Sequence, residues 1–373
     1  MKTQEKLTAA AKNGLISPDQ VAALAAFLDS NGVADSSGAR LRGEEELRFV
    51  RNLHDIFIAL GIFLLGIGLF GAIAYVVEQV RAANLGIDSA FIAIGGGVFG
   101  AGIMWALAEA FARRRRLFFP AIATAIGFSG FAALTAAGLY LGAIGVEADN
   151  IGASLAGRFV PLAVAGAALA AAFGFFARFR LPFSLGLIAG LSLASVLALV
   201  GAFVGEDLIH WLPAIALCAG VAALAAAVRF DMQDPARQSL AADNAFWLHA
   251  AAAPMLMHGA LGLLFGDANG AITYSLGSAA TALSLIVLMA LISLALNRRA
   301  LVVSGLITAG LSIATIIGAA EIASDLKAIL TLITLGLIVI SFGGGWHMLR
   351  RGLVGLIKPQ GVWARIVPIE AVD

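Results

Sequence analysis

The sequence predicts an all-α fold, a polytopic transmembrane helical bundle of about ten spans with both termini on the cytoplasmic side. Three observations carry this. Of 373 residues, 61% are hydrophobic and 13% charged, against about 45–50% and about 25% in soluble domains. So little charge cannot cover a water-soluble surface. Apolar runs long enough to cross about 30 Å of hydrocarbon recur at 56–77, 89–111, 117–141, 158–176, 182–204, 209–228, 245–265, 274–296, 300–320 and 328–348. Finally, the cations follow the alternation of those runs. With the N-terminus inside, all 24 Lys and Arg except Arg81, Arg158 and Lys327 fall on the inner side. One missed or added helix would flip every later loop and destroy that bias.

The elements follow in chain order. Residues 1–55 are too polar and too long for a signal peptide, and 1–32 of them read as a cytoplasmic helical hairpin. Thr3–Lys12 is a short helix stopped by Asn13-Gly14, and Ser17-Pro18-Asp19-Gln20 opens a second with a capping box. Val21, Leu24, Ala25 and Leu28 share one face of it. That face wants a partner: its hairpin mate, a cytoplasmic protein, or a second copy of the chain. Residues 33–55 form a linker and an amphipathic lead-in, 56–348 the bundle and 349–373 a cytoplasmic tail. In that tail, Arg350–Lys358 with Trp363 is either a helix on the membrane surface or a loosely packed end.

The hairpin "NGLISPDQVAALAAFL" (13–28), the linker and the Gly-rich first span "ALGIFLLGIGLFGAIAY" (59–75) together resemble a bacterial family. It is the family of membrane proteins carrying domain of unknown function 2157. The resemblance covers about the first 110 residues and implies a multi-pass protein of the bacterial inner membrane, with no activity attached.

Aromatic residues mark the span ends. Tyr75, Tyr140, Tyr274 and Trp211 fall at outer ends, and Trp247 and Trp346 at inner ends. The outer loops are short and acidic, with Glu147, Asp149, Glu206, Asp207, Asp267, Glu321 and Asp325. Within the spans, Gly96/Gly100, Gly138/Gly142, Gly186/Gly190 and Gly201/Gly205 are G-x-x-x-G pairs suited to close helix packing. Ser304, Thr308 and Ser312 form a small polar stripe on the ninth span, which serves packing or lines a path. "GLIAGLSLAS" (186–195) and "GLITAGLSIAT" (305–315) each begin six residues after an arginine, Arg180 and Arg299. They outline a weak parallel repeat of the kind found in some transporters.

Intramembrane ionisable groups are functional candidates by default. His258 lies nearest the middle of a span, so it and the Ser304, Thr308, Ser312 stripe make a candidate polar intramembrane site. His249 sits nine residues earlier, about 180° away around a helix, and Pro254 lies between them. The pair is therefore poorly placed to share a metal. Glu109 and Arg113, four residues apart, should form an interfacial ion pair. The Arg113–Arg116 run reads chiefly as a topology signal, with anionic lipid contact as its alternative.

Enzyme chemistry finds little support. Gly127-Phe128-Ser129-Gly130 with His258 resembles the serine–histidine pair of rhomboid proteases, but the histidine lies four spans on rather than two. No P-loop, H-E-x-x-H or dinucleotide fingerprint is present. The single Cys218 excludes an internal disulfide and a cysteine metal cluster, and a net charge of +1 gives no signal for nucleic acid. The chain is expected to be no enzyme, to carry no cofactor or metal, and to have the lipid bilayer as its first partner. The leading function is a permease-like protein for a small or lipid-like solute, using His258 and the hydroxyl stripe, since ten spans are a large anchor for a recruitment hairpin; the alternative is a non-transporting scaffold or sensor recruiting a partner through the hairpin.

Overall fold

A computed structural model describes residues 3–14, 16–30, 53–83, 88–145, 154–234, 237, 239–267, 275–303, 305–320, 323–361 and 366–367. Every regular element among them is helical. Ser304, Tyr274, Glu147, Asp149, Glu321, Trp363 and most of the 33–55 linker lie outside the described residues. The chain divides into two compact units, Met1–Glu44 with Glu370–Asp373, and Glu45–Ile369.

The smaller unit is the hairpin of α1 (Thr3–Lys12) and α2 (Pro18–Ser30), packed on each other. Gly14 closes α1 at φ 70°, its N–H donating to the Ala11 carbonyl at 3.1 Å. The Ser17 N–H donates to Gln20 Oε1 at 2.9 Å, the returning half of a capping box.

The larger unit contains α3 (Leu53–Ala82), α4 (Ser89–Ala108), α5 (Phe118–Ile144), α6 (Leu155–Arg158), α7 (Val160–Phe179) and α8 (Phe183–Val204). It continues with α9 (Leu208–Gln233), α10 (Leu240–Phe265), α11 (Leu276–Leu296), α12 (Ala300–Val303), α13 (Leu306–Gly318), α14 (Ser324–Gly344) and α15 (Trp346–Ile357). Among the described residues, eight helices are long and apolar enough to cross a membrane. One of the eight, Phe183–Gln233, has 51 residues, which as one straight helix would measure about 77 Å. It is broken at Gly205, φ 62°, where the one-turn 3₁₀ segment Gly205–Asp207 folds α9 back on α8. The run expected at 300–320 is also interrupted. It holds the single turn α12 and then α13 of 13 residues, about 20 Å and too short alone for the hydrocarbon core.

Small residues let the backbones approach. A Cβ on Gly138 would lie 2.9 Å from the Ala90 carbonyl oxygen, and Gly100 faces the Phe131 ring, so α4 and α5 pack closely. The close approach of α9 to α10 rests on Gly259 and Gly220, whose added Cβ atoms would lie 2.6 Å from the Leu217 nitrogen and 2.8 Å from the Leu256 nitrogen. Neither belongs to a G-x-x-x-G pair. Gly190, by contrast, has open space around it.

Contacts run mostly between chain neighbours: α3 with α4 and α5, α5 with α7, α7 with α8, and α8 with both α9 and α10. Beyond these, α11 meets α13 and α15, and α13 meets α14. The helices surround two aromatic-rich centres. Trp105, Phe128, Phe175 and Phe179 stack with ring centroids 4.4–6.3 Å apart, and Trp247 meets Phe183 edge-on at 4.9 Å. Trp247 and Trp346 thus pack inside the protein rather than serving only as lipid-facing anchors. The outer faces are apolar: α14 leaves Leu332, Leu337 and Ile340 exposed along its length. Such a surface suits a hydrocarbon solvent.

Candidate functional site

His258 is exposed on α10, whereas Thr308 and Ser312 are buried on α13. Among the described residues no hydrogen bond joins this imidazole to either hydroxyl. Helical phase explains it, because nine residues reverse the face, and α10 turns His249 inward toward its neighbours. His249 is 0% exposed. The Ser129 hydroxyl is buried without a hydrogen-bond partner among the described residues, His258 included.

The polar group that does assemble lies where α9 ends. The His249 Nε2–H donates to Asp231 Oδ2 at 2.8 Å. Arg298 reaches the other carboxylate oxygen of Asp231, its Nε–H at 3.1 Å and its Nη2–H more closely still. Asp231 is 7% and Arg298 2% exposed. One carboxylate thus ties α9, α10 and the α11–α12 junction together. His249 Nδ1 is buried with no partner among the described residues.

Local structure fixes each member. Asn297 caps α11 in the left-handed region at φ 53°, a conformation Asn tolerates. The turn throws Arg298 back toward α9, held by the Arg298 N–H to the Ser293 carbonyl at 2.8 Å and the Ser293 hydroxyl to the Arg298 carbonyl at 2.5 Å. Arg237, from the α9–α10 connection, donates to the Asn297 and Leu296 carbonyls at 2.5 Å each, satisfying acceptors that a helix C-terminus leaves open. The Trp346 indole N–H donates to Asn297 Oδ1 at 2.9 Å, which docks α15 on α11. Thus α15 starts from a buried anchor rather than as a loose tail.

The sequence reading takes Arg237 and Arg298 only as inner-side charge and gives Asp231 no role. The available signal was a histidine one turn inside the seventh span, with an acid and arginines in the adjoining inner loops.

Glu109 accepts from Arg113 at 3.2 Å and also from Arg178 of α7 at 2.7 Å. All three side chains are partly exposed, so each pair contributes on the order of 0–1 kcal/mol. Glu109 begins a π-helical turn, Glu109–Arg114, that extends α4.

A groove of about 700 Å³ runs between α8 and α9. Leu185 and Val196 form one wall, Trp211, Ala222 and Phe230 the other, and Leu248 of α10 part of the floor. Its size falls in the range of small-molecule pockets, about 300–1,000 Å³. The cause lies in α9, which is drawn onto α10 through Gly220 while its opposite face carries Ala219, Ala222 and Ala226. Those methyl groups are too short to reach α8. The two helices touch near the turn, where a Cβ on Gly201 would lie 2.9 Å from Leu208, and are unfilled beyond it. Phe230 and Leu248 adjoin Asp231 and His249 in sequence, so the buried carboxylate holds the frame against which the groove is shaped.

Neither His258, Thr308 nor Ser312 lines this groove. Other hydroxyls in the helices turn back on their own backbones: Thr135 to Phe131, Ser195 to Leu191, Thr281 to Gly277, Ser284 to Ala280, Thr315 to Leu311 and Thr331 to Lys327. Such internal bonds satisfy a hydroxyl in hydrocarbon without a polar neighbour. Among the described residues no three or more His, Cys, Asp or Glu side chains are grouped to hold a metal ion. No family model, no curated protein and no solved structure matches this chain.

Proposed function

We propose that the chain is a non-transporting, lipid-binding scaffold or sensor of the bacterial inner membrane, with ten spans and both termini in the cytoplasm. The single observation that carries the lipid-binding reading is the apolar groove between α8 and α9, which takes hydrocarbon sideways from the bilayer. A permease-like role for a small or lipid-like solute is less favoured. His258 faces outward, the hydroxyls of several helices are bonded to their own backbones, and the groove offers a polar head no path across.

Ten spans are supported by the fold-back at Gly205 and by α12–α13 filling the interval between α11 and α14. A common inner end is supported by bonds between residues the topology puts there: Glu109 with Arg178, Asp231 with Arg298, and Arg237 with the end of α11. The inner-membrane location follows the family resemblance. The scaffold element is the hairpin, a compact unit whose Leu24 is 36% exposed on α2.

The test is photolabelling of the full chain in phosphatidylcholine vesicles with a phosphatidylcholine carrying a diazirine in its acyl chain. Adducts should concentrate on α8 and α9 peptides relative to α14, which is equally apolar and open to lipid. Even labelling of the three helices would contradict the reading.

A further inference from the structure

The face of α9 that lines the apolar groove runs on toward a charged residue. On α9, Trp211, Cys218 and Ala222 line it. Arg229 is seven residues beyond Ala222, which returns it to within about 20° of the same helical face. From Trp211 to Arg229 is 18 residues, about 27 Å of helix, close to the thickness of the hydrocarbon core. The stripe is therefore bounded by an exposed indole at one interface and an exposed guanidinium at the other.

Arg229 makes no ion pair or hydrogen bond among the described residues, and it is not one of the arginines committed to the buried network. Asp231, two residues on, points to the opposite side of α9 and is taken by Arg298 and His249. Asp234 accepts the Ser239 N–H and hydroxyl, each at 2.7 Å. Arg180 lies five residues before Leu185, which starts the α8 wall, and its side chain is exposed. Arg229 and Arg180 are thus exposed residues just beyond the groove-lining stretches of α9 and α8, while Asp231 and Asp234 are occupied.

We propose that the groove is a site for an anionic phospholipid, one acyl chain lying between α8 and α9 and the head-group phosphate held by Arg229. This rests on the reading of the groove as a hydrocarbon site and adds the class of head group. A guanidinium binds phosphate through paired N–H donors. Basic groups between spans on the cytoplasmic side attract anionic lipid head groups, and Arg229 supplies one such group beside the groove.

The experiment uses two probes with the same diazirine acyl chain, one a phosphatidylglycerol and one a phosphatidylcholine. Both are tested on the full chain in vesicles of equal phosphatidylglycerol and phosphatidylcholine content. Adducts on α8 and α9 are normalised to those on α14, which removes general attraction of the probe to the protein. The wild type should show about a fivefold preference for the anionic probe, one cation at the membrane surface being worth about that ratio. Arg229→Gln should abolish the preference without lowering phosphatidylcholine labelling, and Arg351→Gln, an equal loss of charge elsewhere, should keep it.

Equal labelling by both probes in the wild type would overturn the head-group assignment and leave the hydrocarbon site standing. Preference retained in Arg229→Gln would overturn it as well. Failure of both probes to enrich α8 and α9 would overturn the groove reading itself, as would intermolecular crosslinks showing a second copy's helix in the groove.

Discussion

Asp231→Asn replaces the carboxylate that Arg298 and His249 share with a neutral amide, beside a guanidinium only 2% exposed. Breaking a buried pair in this way costs about 3–5 kcal/mol, because the remaining charge keeps its desolvation penalty and loses its carboxylate. The midpoint of thermal unfolding in detergent should fall clearly for Asp231→Asn. It should stay nearly unchanged for His258→Ala, within about 0.5 kcal/mol, since that side chain is exposed. If His258→Ala proved the more damaging, the placement of the two histidines on α10 would be wrong. The sequence allowed the two to be put on opposite faces but not the inward one to be chosen. That choice is made by Asp231 and Arg298, 18 and 49 residues from His249, and their meeting depends on how α9, α10 and α11 pack.

At the scale of the element, α9 is set by small residues on two faces. One face closes on α10 through glycine, and the other stops short of α8 through alanine. Gly259→Ala puts a Cβ 2.6 Å from the Leu217 backbone nitrogen. It should destabilise the fold by about 1–3 kcal/mol through overpacking, read as a lower unfolding midpoint. Gly190→Ala meets open space and should leave the midpoint unchanged or raise it, because alanine favours helix over glycine by about 1 kcal/mol. The G-x-x-x-G pairs were visible in the sequence and some do mark close contacts, as at Gly100 and Gly138. Spacing alone could not separate them from Gly190, nor reveal Gly220 and Gly259, whose partners lie on another helix. The groove was still less legible, since it is a gap left by alanines and depends on which face of α9 is drawn away. Ala222→Phe should fill it and reduce acyl-probe adducts on α8 and α9 several-fold without changing those on α14.

At the scale of the whole molecule, all-helical membrane character was legible because solvent dictates composition: a surface facing hydrocarbon cannot hide its apolar residues. Where the chain folds back depended on local breaks such as Gly205, which the apolar runs bracketed well. The interruption between α12 and α13 did not show in hydropathy, because both pieces are apolar. The proposed topology makes its own prediction. In a Cys218→Ala background, Asp207→Cys should react with an impermeant maleimide in spheroplasts, whereas Arg115→Cys should react only after the membrane is opened. The opposite pattern would reverse the orientation, and reaction at both positions in sealed spheroplasts would contradict the inserted bundle. The most direct test of the account is native mass spectrometry of the full chain released from detergent. The wild type should retain about one phospholipid per chain and Ala222→Phe should lose it; equal retention by both would mean that the groove between α8 and α9 is not a lipid site.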